Sequence, residues 1–207
     1  MTMINAMVKA SVVIVILSVS GCARSPDSHF FLLNPASHQA LKKYRSCRQT
    51  VALDTIKLAK YLDKPNIVTR FTSNHLIVSE FNRWSEPLGD NIQRVLQQNL
   101  NYQLKNVTVL TSPIRVEPDI NYRVSTQIYM FDMNTKGVTT LKASWGIYNK
   151  ESRLALIRKK TYHTYAQSPL TYQTITRSMN NALTMLSRDI AVSIKSLSCK
   201  KPTTNSQ

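Results

Sequence analysis

Glycine and acidic residues are both scarce in this chain of 207 residues, which has only 4 glycines and 11 aspartates and glutamates. Neither a P-loop nor a Gly-rich dinucleotide-binding fingerprint occurs. The Gly-x-Ser-x-Gly motif of hydrolases is also missing. The few acidic residues include no pair that the sequence positions for general acid and base chemistry. We therefore predict no catalytic residues, and a protein that is not an enzyme.

The histidines give no support for a metal site. The chain has four, His29, His38, His75 and His163, and none stands at ligand spacing from another histidine, a cysteine or an acidic residue. Each is interpreted as a surface or turn residue. We predict no metal, and no cofactor apart from the covalent lipid described next.

A long apolar run is also lacking, since residues 10–17 are too few for the roughly 20 residues that span a bilayer. Following Lys9, this run has the length of a signal-peptide core. The next segment, Val-Ser-Gly-Cys at 19–22, resembles the bacterial lipobox. We predict cleavage before Cys22, a diacylglyceryl group on its thiol and an N-acyl chain on its amine. Two or more chains anchor a protein stably. An ordinary signal peptide with a chance cysteine is the alternative.

The residue after Cys22 is Ala23 rather than aspartate, which favours the periplasmic face of the outer membrane. The predicted organisation is a signal peptide at 1–21, a lipidated tether at 22–29, one domain at 30–199 and a polar tail at 200–207. The two other cysteines, Cys47 and Cys199, would lie in an oxidising compartment. They are therefore candidates for a disulfide that ties the two ends of the domain, although two free thiols remain the alternative.

The net charge is strongly positive at +16, and Lys9 is the one charged residue in the first 21, so the mature chain would carry +15. Such a balance often indicates nucleic acid or an anionic membrane surface. Export argues against nucleic acid as a partner. Anionic lipid headgroups, an acidic partner and a merely solvated basic surface stay open as interpretations.

Hydrophobic periodicity predicts strands and two amphipathic helices. Apolar residues recur at helical spacing from Leu88 to Leu104 and from Tyr172 to Leu197, with Ser85 and Thr171 as the expected N-caps. The expected strands lie at 30–33, 50–58, 67–71, 75–79, 107–110, 122–131, 138–148 and 154–163, and residues 36–48 are expected to be loop. We predict an α+β domain of two layers, a mostly antiparallel β-sheet with both helices on one face.

One paired motif is specific enough to suggest a family. YLDKPNIVTR at 61–70 is followed by EFNRWSEPL at 80–88. These runs resemble the PqiC/YmbA family of ABC-type transport auxiliary lipoproteins, and the similarity continues at residues 119–124, 131–132 and 186–191. This resemblance implies an outer-membrane lipoprotein that works with a periplasmic MCE-domain protein in lipid transport between membranes and supports envelope integrity. It also implies a homo-oligomer, with membrane phospholipid as a further partner. A stand-alone periplasmic lipid-binding protein or a structural envelope lipoprotein is the alternative.

The composition of the motif points to a contact surface, because aromatic residues beside arginine are typical of interfaces. The candidate partner-contact residues are Tyr61, Leu62, Arg70, Phe81, Arg83 and Trp84. The competing interpretation is structural: the aromatic side chains pack under the first helix, and the two arginines pair with Glu80 or Glu86.

Overall fold

The computed structural model describes residues 26–37, 42–114 and 119–197, and they form an α+β fold, which confirms the predicted class. The predicted signal peptide, Cys22 and the polar tail lie outside the described residues. The strands are β1 (His29–Phe31), β2 (Tyr44–Leu53), β3 (Lys57–Leu58), β4 (Asn66–Arg70), β5 (Leu76–Trp84), β6 (Leu104–Thr111), β7 (Tyr122–Asn134), β8 (Val138–Asn149) and β9 (Leu154–Tyr165), and the helices are α1 (Leu88–Gln103) and α2 (Tyr172–Leu197).

Strand β7 is the spine of the sheet. One of its edges pairs antiparallel with β8, which pairs in turn with β9, as the predicted meander requires. Its other edge pairs in succession with β2 near its start, β3 at its middle and β4 near its end, and all three pairs are parallel. Beyond these, β6 pairs with β2, and β5 and β1 extend the sheet from β4. The sheet is therefore mixed.

The two helices cover one face of this sheet and bury the predicted apolar stripes. In α1, Ile92, Leu96 and Leu100 are completely buried, and in α2 the same holds for Leu186 and Ile190. They pack in one cluster with the inward-facing side chains of β7 and β8. Burial of this apolar surface is the main stabilising contribution to the two-layer arrangement.

The start of α2 is fixed by a reciprocal cap, as predicted. The Thr174 backbone N–H donates to Thr171 Oγ1 over 3.2 Å, and the Thr171 backbone N–H donates to Thr174 Oγ1 over 2.9 Å. Two of the backbone groups that a helix end leaves without partners are thus satisfied. The predicted cap of α1 is wrong, because its N-cap is Pro87 and the Ser85 hydroxyl instead donates to the Phe31 carbonyl.

Several strand boundaries also differ from the prediction, as where β5 runs on to Trp84 past the expected end at residue 79, and two of the differences have a clear cause. Residues 44–48, expected to be loop, belong to β2 because Tyr44 and Arg45 pair with the start of β6. The expected strand at 50–58 is divided, since β2 ends at Leu53 and a separate strand β3 begins at Lys57. In both places pairing with a distant segment outweighs local propensity.

Candidate partner-contact site

The two ends of the first motif run meet on one buried carboxylate. Arg70 donates from Nε to Asp132 Oδ1 over 2.9 Å and from Nη2 to Asp132 Oδ2 over 2.8 Å. The Tyr61 hydroxyl donates to the same Oδ2 over 2.7 Å. The Asp132 side chain is 2% exposed and that of Arg70 is 18% exposed. We name Tyr61, Arg70 and Asp132 the carboxylate clamp.

The electrostatics of the clamp favour a fixed structural arrangement. Burial raises the pKa of Tyr61, and the hydrogen bond to the Asp132 carboxylate adds to this shift. The hydrogen bond with Asp132 also raises the pKa of Arg70. A carboxylate buried among protein atoms is costly unless it is paired and hydrogen-bonded, and a bidentate arginine meets that need. The clamp thus fastens the turn before β4, and β4 itself, to the end of β7.

The buried members of the motif join its two halves. Trp84 is 5% exposed and Leu62 is 2% exposed, and both belong to the hydrophobic core. The Trp84 backbone N–H donates to the Pro65 carbonyl over 2.7 Å. These two candidates for partner contact therefore hold the motif together from the inside.

The remaining candidates lie at an irregularity in β5. Between its pairings with Asn66 and Val68 of β4, the register of β5 shifts. Ser79 stabilises the shifted segment, because its Oγ accepts from the Asn82 backbone N–H over 3.0 Å. Phe81 in this segment is half-buried, and Arg83 just after it is exposed. Bulged strands of this kind re-aim side chains, and here Arg83 points to solvent.

A groove of about 390 Å³ runs between the two halves of the motif. It is lined by Asp63, Lys64, Pro65, Trp84, Ser85, Glu86, Pro87 and Leu88. Prolines, Trp84 and Leu88 give it apolar walls, while Asp63 and Lys64 are exposed at its rim. We name it the motif groove.

The predicted partners of the two motif arginines, Glu80 and Glu86, are wrong. Arg70 pairs with Asp132, and Glu86 pairs with Arg94 of α1 over 2.8 Å. Arg83 donates from Nε to the backbone carbonyl of Glu80 over 3.4 Å and not to its carboxylate. The six candidate residues therefore do not form one surface: two belong to the clamp, two are buried, one is half-buried and one is exposed.

Two structural features of this region are not predicted by the sequence motifs. The first is the convergence of Tyr61 and Arg70 on Asp132, a residue that the resemblance includes without a role. The second is the segment 32–36, which we name the strap because side chains of both helices hold its backbone. Asn91 of α1 accepts from the Leu33 N–H over 2.7 Å and donates to the Leu33 carbonyl over 3.0 Å. Polar residues in the buried stripe of α1 were the signal that could have revealed the strap.

The strap has contacts to both helices. Asn99 of α1 accepts from the Ala36 N–H over 3.0 Å, and Asn180 of α2 accepts from the Asn34 N–H over 3.1 Å. Arg94 also donates to the Leu33 carbonyl over 3.0 Å. The strap directly follows β1, two residues after the end of the predicted tether, so it joins β1 firmly to the helical layer.

Of the three cysteines, Cys47 lies within the described residues. Cys47 lies in β2 and is disulfide-bonded. Cys22 and Cys199 lie outside the described residues, so the pairing of Cys47 with Cys199 stays a prediction. In the part of the chain that the structure describes, no helix is long and apolar enough to cross a bilayer.

Known proteins resemble this fold and this sequence. A crystal structure of an uncharacterized protein matches with a TM-score of 0.69 and 15% identity, covering 82% of this chain and 99% of that chain. The crystal structure of protein XCC0632 from Xanthomonas campestris, of the family DUF330, matches with a TM-score of 0.66 and 13% identity, covering 79% of this chain and 93% of that one. At these identities the likeness shows the fold. No curated protein is significantly similar in sequence.

The sequence itself matches a family model over residues 31–191, described as the ABC-type transport auxiliary lipoprotein component. This range contains the clamp, the motif groove and the whole strap. The family is one of transport components and not of enzymes, and its lipoprotein character implies a membrane-anchored periplasmic location. The chain belongs to the family of ABC-type transport auxiliary lipoprotein components.

Proposed function

We propose that this lipoprotein is a non-enzymatic subunit, anchored to the outer membrane through Cys22, of an MCE-type system that moves lipid between membranes. Its task is to dock the periplasmic end of the conduit that the MCE-domain protein forms. The conduit end is thereby held at the membrane, and the system supports the integrity of the envelope. The family membership supports the transport role, and Ala23 after the predicted cleavage site supports the outer membrane.

The motif groove is the observation that carries the docking proposal. The most specific stretch of the sequence uses its buried members to hold two segments together, and its exposed members line the opening between them. The apolar walls can accept an inserted apolar side chain, and Asp63 and Lys64 at the rim can pair with charged or polar groups of the partner. We propose that a segment of the MCE-domain protein occupies this groove.

An affinity capture tests the proposal. The tagged full-length lipoprotein, expressed in its own cells, is purified from native membranes, and co-purifying proteins are quantified by mass spectrometry. Lys64→Glu reverses the charge at the groove rim without disturbing a buried contact, so we expect the captured MCE-domain protein to fall about tenfold or more. Lys142→Glu, an exposed lysine on β8, is the matched control. Equal capture by both variants, or capture of no MCE-domain protein by the parent, contradicts the docking role.

A further inference from the structure

Exposed apolar side chains collect around the start of α2, close to where the predicted tether enters the fold. Phe30 and Leu32 flank the end of β1 and are 63% and 37% exposed, and both line a groove of about 690 Å³. Ile77 and Leu170 are 44% and 47% exposed and line a second groove of about 230 Å³. The two grooves share Thr171 and Tyr172, so they adjoin each other at the start of α2.

Two arginines accompany this apolar surface. Arg177 of α2 lines the larger groove and is exposed. Arg83 is exposed and is the register partner of Phe30 across the β1–β5 pair, so the two side chains project from the same face of the sheet. Apolar side chains beside exposed cations are the composition with which peripheral proteins enter the boundary between headgroups and acyl chains. We name the six residues the anchor-side surface: Phe30, Leu32, Ile77, Leu170, Arg83 and Arg177.

The position of the tether decides which partner fits this surface. Six residues separate Cys22 from His29 at the start of β1, and a fully extended chain of this length spans no more than about 25 Å. The strap, which follows β1, is held against both helices, so the tether enters the domain at a fixed point. An acyl chain on Cys22 therefore keeps the anchor-side surface nearer to the bilayer than the far edge of the sheet at β9.

We propose that the anchor-side surface is a membrane contact: its apolar side chains enter the headgroup and acyl boundary of an anionic bilayer, and its arginines bind lipid phosphates. This contact rests on the proposed function in one respect, since acylation at Cys22 sets the distance to the membrane. It defines the orientation of the domain, because the surface and the tether together hold β1 and the start of α2 toward the lipid.

Tryptophan fluorescence tests the contact directly. The two native tryptophans, Trp84 and Trp145, are 5% and 3% exposed, so an added surface tryptophan is readily distinguished. The mature chain with Cys22→Ser, which carries no acyl chain, is mixed with vesicles of phosphatidylethanolamine and phosphatidylglycerol that contain brominated acyl chains. In the Phe30→Trp variant, we expect the emission of the added tryptophan to shift to shorter wavelength and to be quenched by the bromine atoms. Ile157→Trp, at a site on β9 that is 60% exposed, is the matched control and is expected to stay unquenched.

Binding to the same vesicles gives the second measurement. We expect Phe30→Ser combined with Leu32→Ser to lower the partition coefficient about tenfold or more, since two large apolar side chains no longer leave water. Ile157→Ser is expected to change it less than about twofold, as for an ordinary surface substitution. Equal losses for the two variants, or equal quenching of the two added tryptophans, overturns the proposal and leaves only a general attraction of the basic protein to anionic lipid.

Two further outcomes separate this proposal from others. If the Phe30 and Leu32 substitutions change the molar mass in light scattering while vesicle binding is unaltered, the surface joins copies of the chain and the membrane contact is wrong. The same variant, with Cys22 intact and expressed in its own cells, is expected to capture the MCE-domain protein as the parent does. Lost vesicle binding with retained capture thus supports the membrane contact independently of the docking proposal.

Discussion

Removing the arginine from the carboxylate clamp is the perturbation with the largest expected effect on stability. In Arg70→Met the Asp132 carboxylate loses two charged hydrogen bonds and its counter-charge, while its side chain is still only 2% exposed. A buried charge left without its partner costs about 3–5 kcal/mol. We expect the free energy of unfolding in urea to fall by that amount.

A double-mutant cycle with Asp132→Leu separates the effect of the lost charge pair from the effect of packing. Replacing a buried ion pair by apolar side chains of similar volume is often nearly neutral, so adding Asp132→Leu to Arg70→Met should recover much of the loss. Arg83→Met serves as the control, because this exposed arginine has one long contact of 3.4 Å to a backbone carbonyl, and its cost is expected to stay below about 0.5 kcal/mol. A cost below about 1 kcal/mol for Arg70→Met, or no recovery in the double variant, refutes the reasoning.

Three other predictions follow from the clamp, the strap and the cysteines. Burial and the Asp132 carboxylate raise the pKa of Tyr61, so the folded state keeps this proton when the unfolded state loses it. Tyr61 should therefore lower the stability above a pH of about 10 by at most about 1.4 kcal/mol per pH unit, and Tyr162, whose pKa is raised by burial and by its hydrogen bond to Asp189, should add a decline of its own. Tyr61→Phe should lessen the decline in urea titrations at high pH, and an unchanged slope would count against this reasoning. Asn91→Ala leaves the N–H of buried Leu33 without a partner and its carbonyl with Arg94 alone, so it should cost about 1–3 kcal/mol and speed proteolysis of the strap, whereas Gln98→Ala on the exposed side of α1 should do neither. Cys47→Ser and Cys199→Ser should each cost about 2–4 kcal/mol, with no further loss in the double variant, and non-reducing peptide mapping that finds both thiols free would exclude the pairing.

Local patterns were sufficient to predict the helices and the meander. The spacing of apolar residues in α1 and α2 fixes which face is buried, and that depends only on residues three or four positions apart. The strands β7, β8 and β9 are joined by short turns, so their antiparallel pairing is also local in the chain. These parts of the fold agree with the prediction for that reason.

The parallel pairs could not be predicted in the same way. Strands β2, β3 and β4 share one edge of β7, although Tyr61 and Asp132 in that region stand 71 positions apart in the chain. The hydrophobic pattern of residues 44–70 does not indicate which distant strand this segment pairs with. The division of the expected strand at 50–58 has the same cause, since β3 forms where the segment meets the middle of β7.

The motif can be recognised from the sequence, but which of its residues are exposed cannot. Aromatic and arginine residues occur both in interfaces and around buried polar groups, so composition alone cannot separate exposed Arg83 from clamped Arg70. The partner of Arg70 lies on another strand, and the predicted pairing with Glu80 or Glu86 considered only neighbours in sequence. The structure also reveals the motif groove, which forms only when residues 63–65 meet residues 84–88.

The docking role is tested most directly by cross-linking from the rim of the motif groove in intact cells. A photoreactive phenylalanine analogue replaces Lys64, and the same analogue at Lys142 on β8 serves as the control. After irradiation, the acylated protein is isolated from the envelope and the cross-linked peptides are identified by mass spectrometry. We expect position 64, and not position 142, to yield peptides of an MCE-domain protein. Cross-links from position 64 that reach only unrelated proteins would contradict the proposed docking.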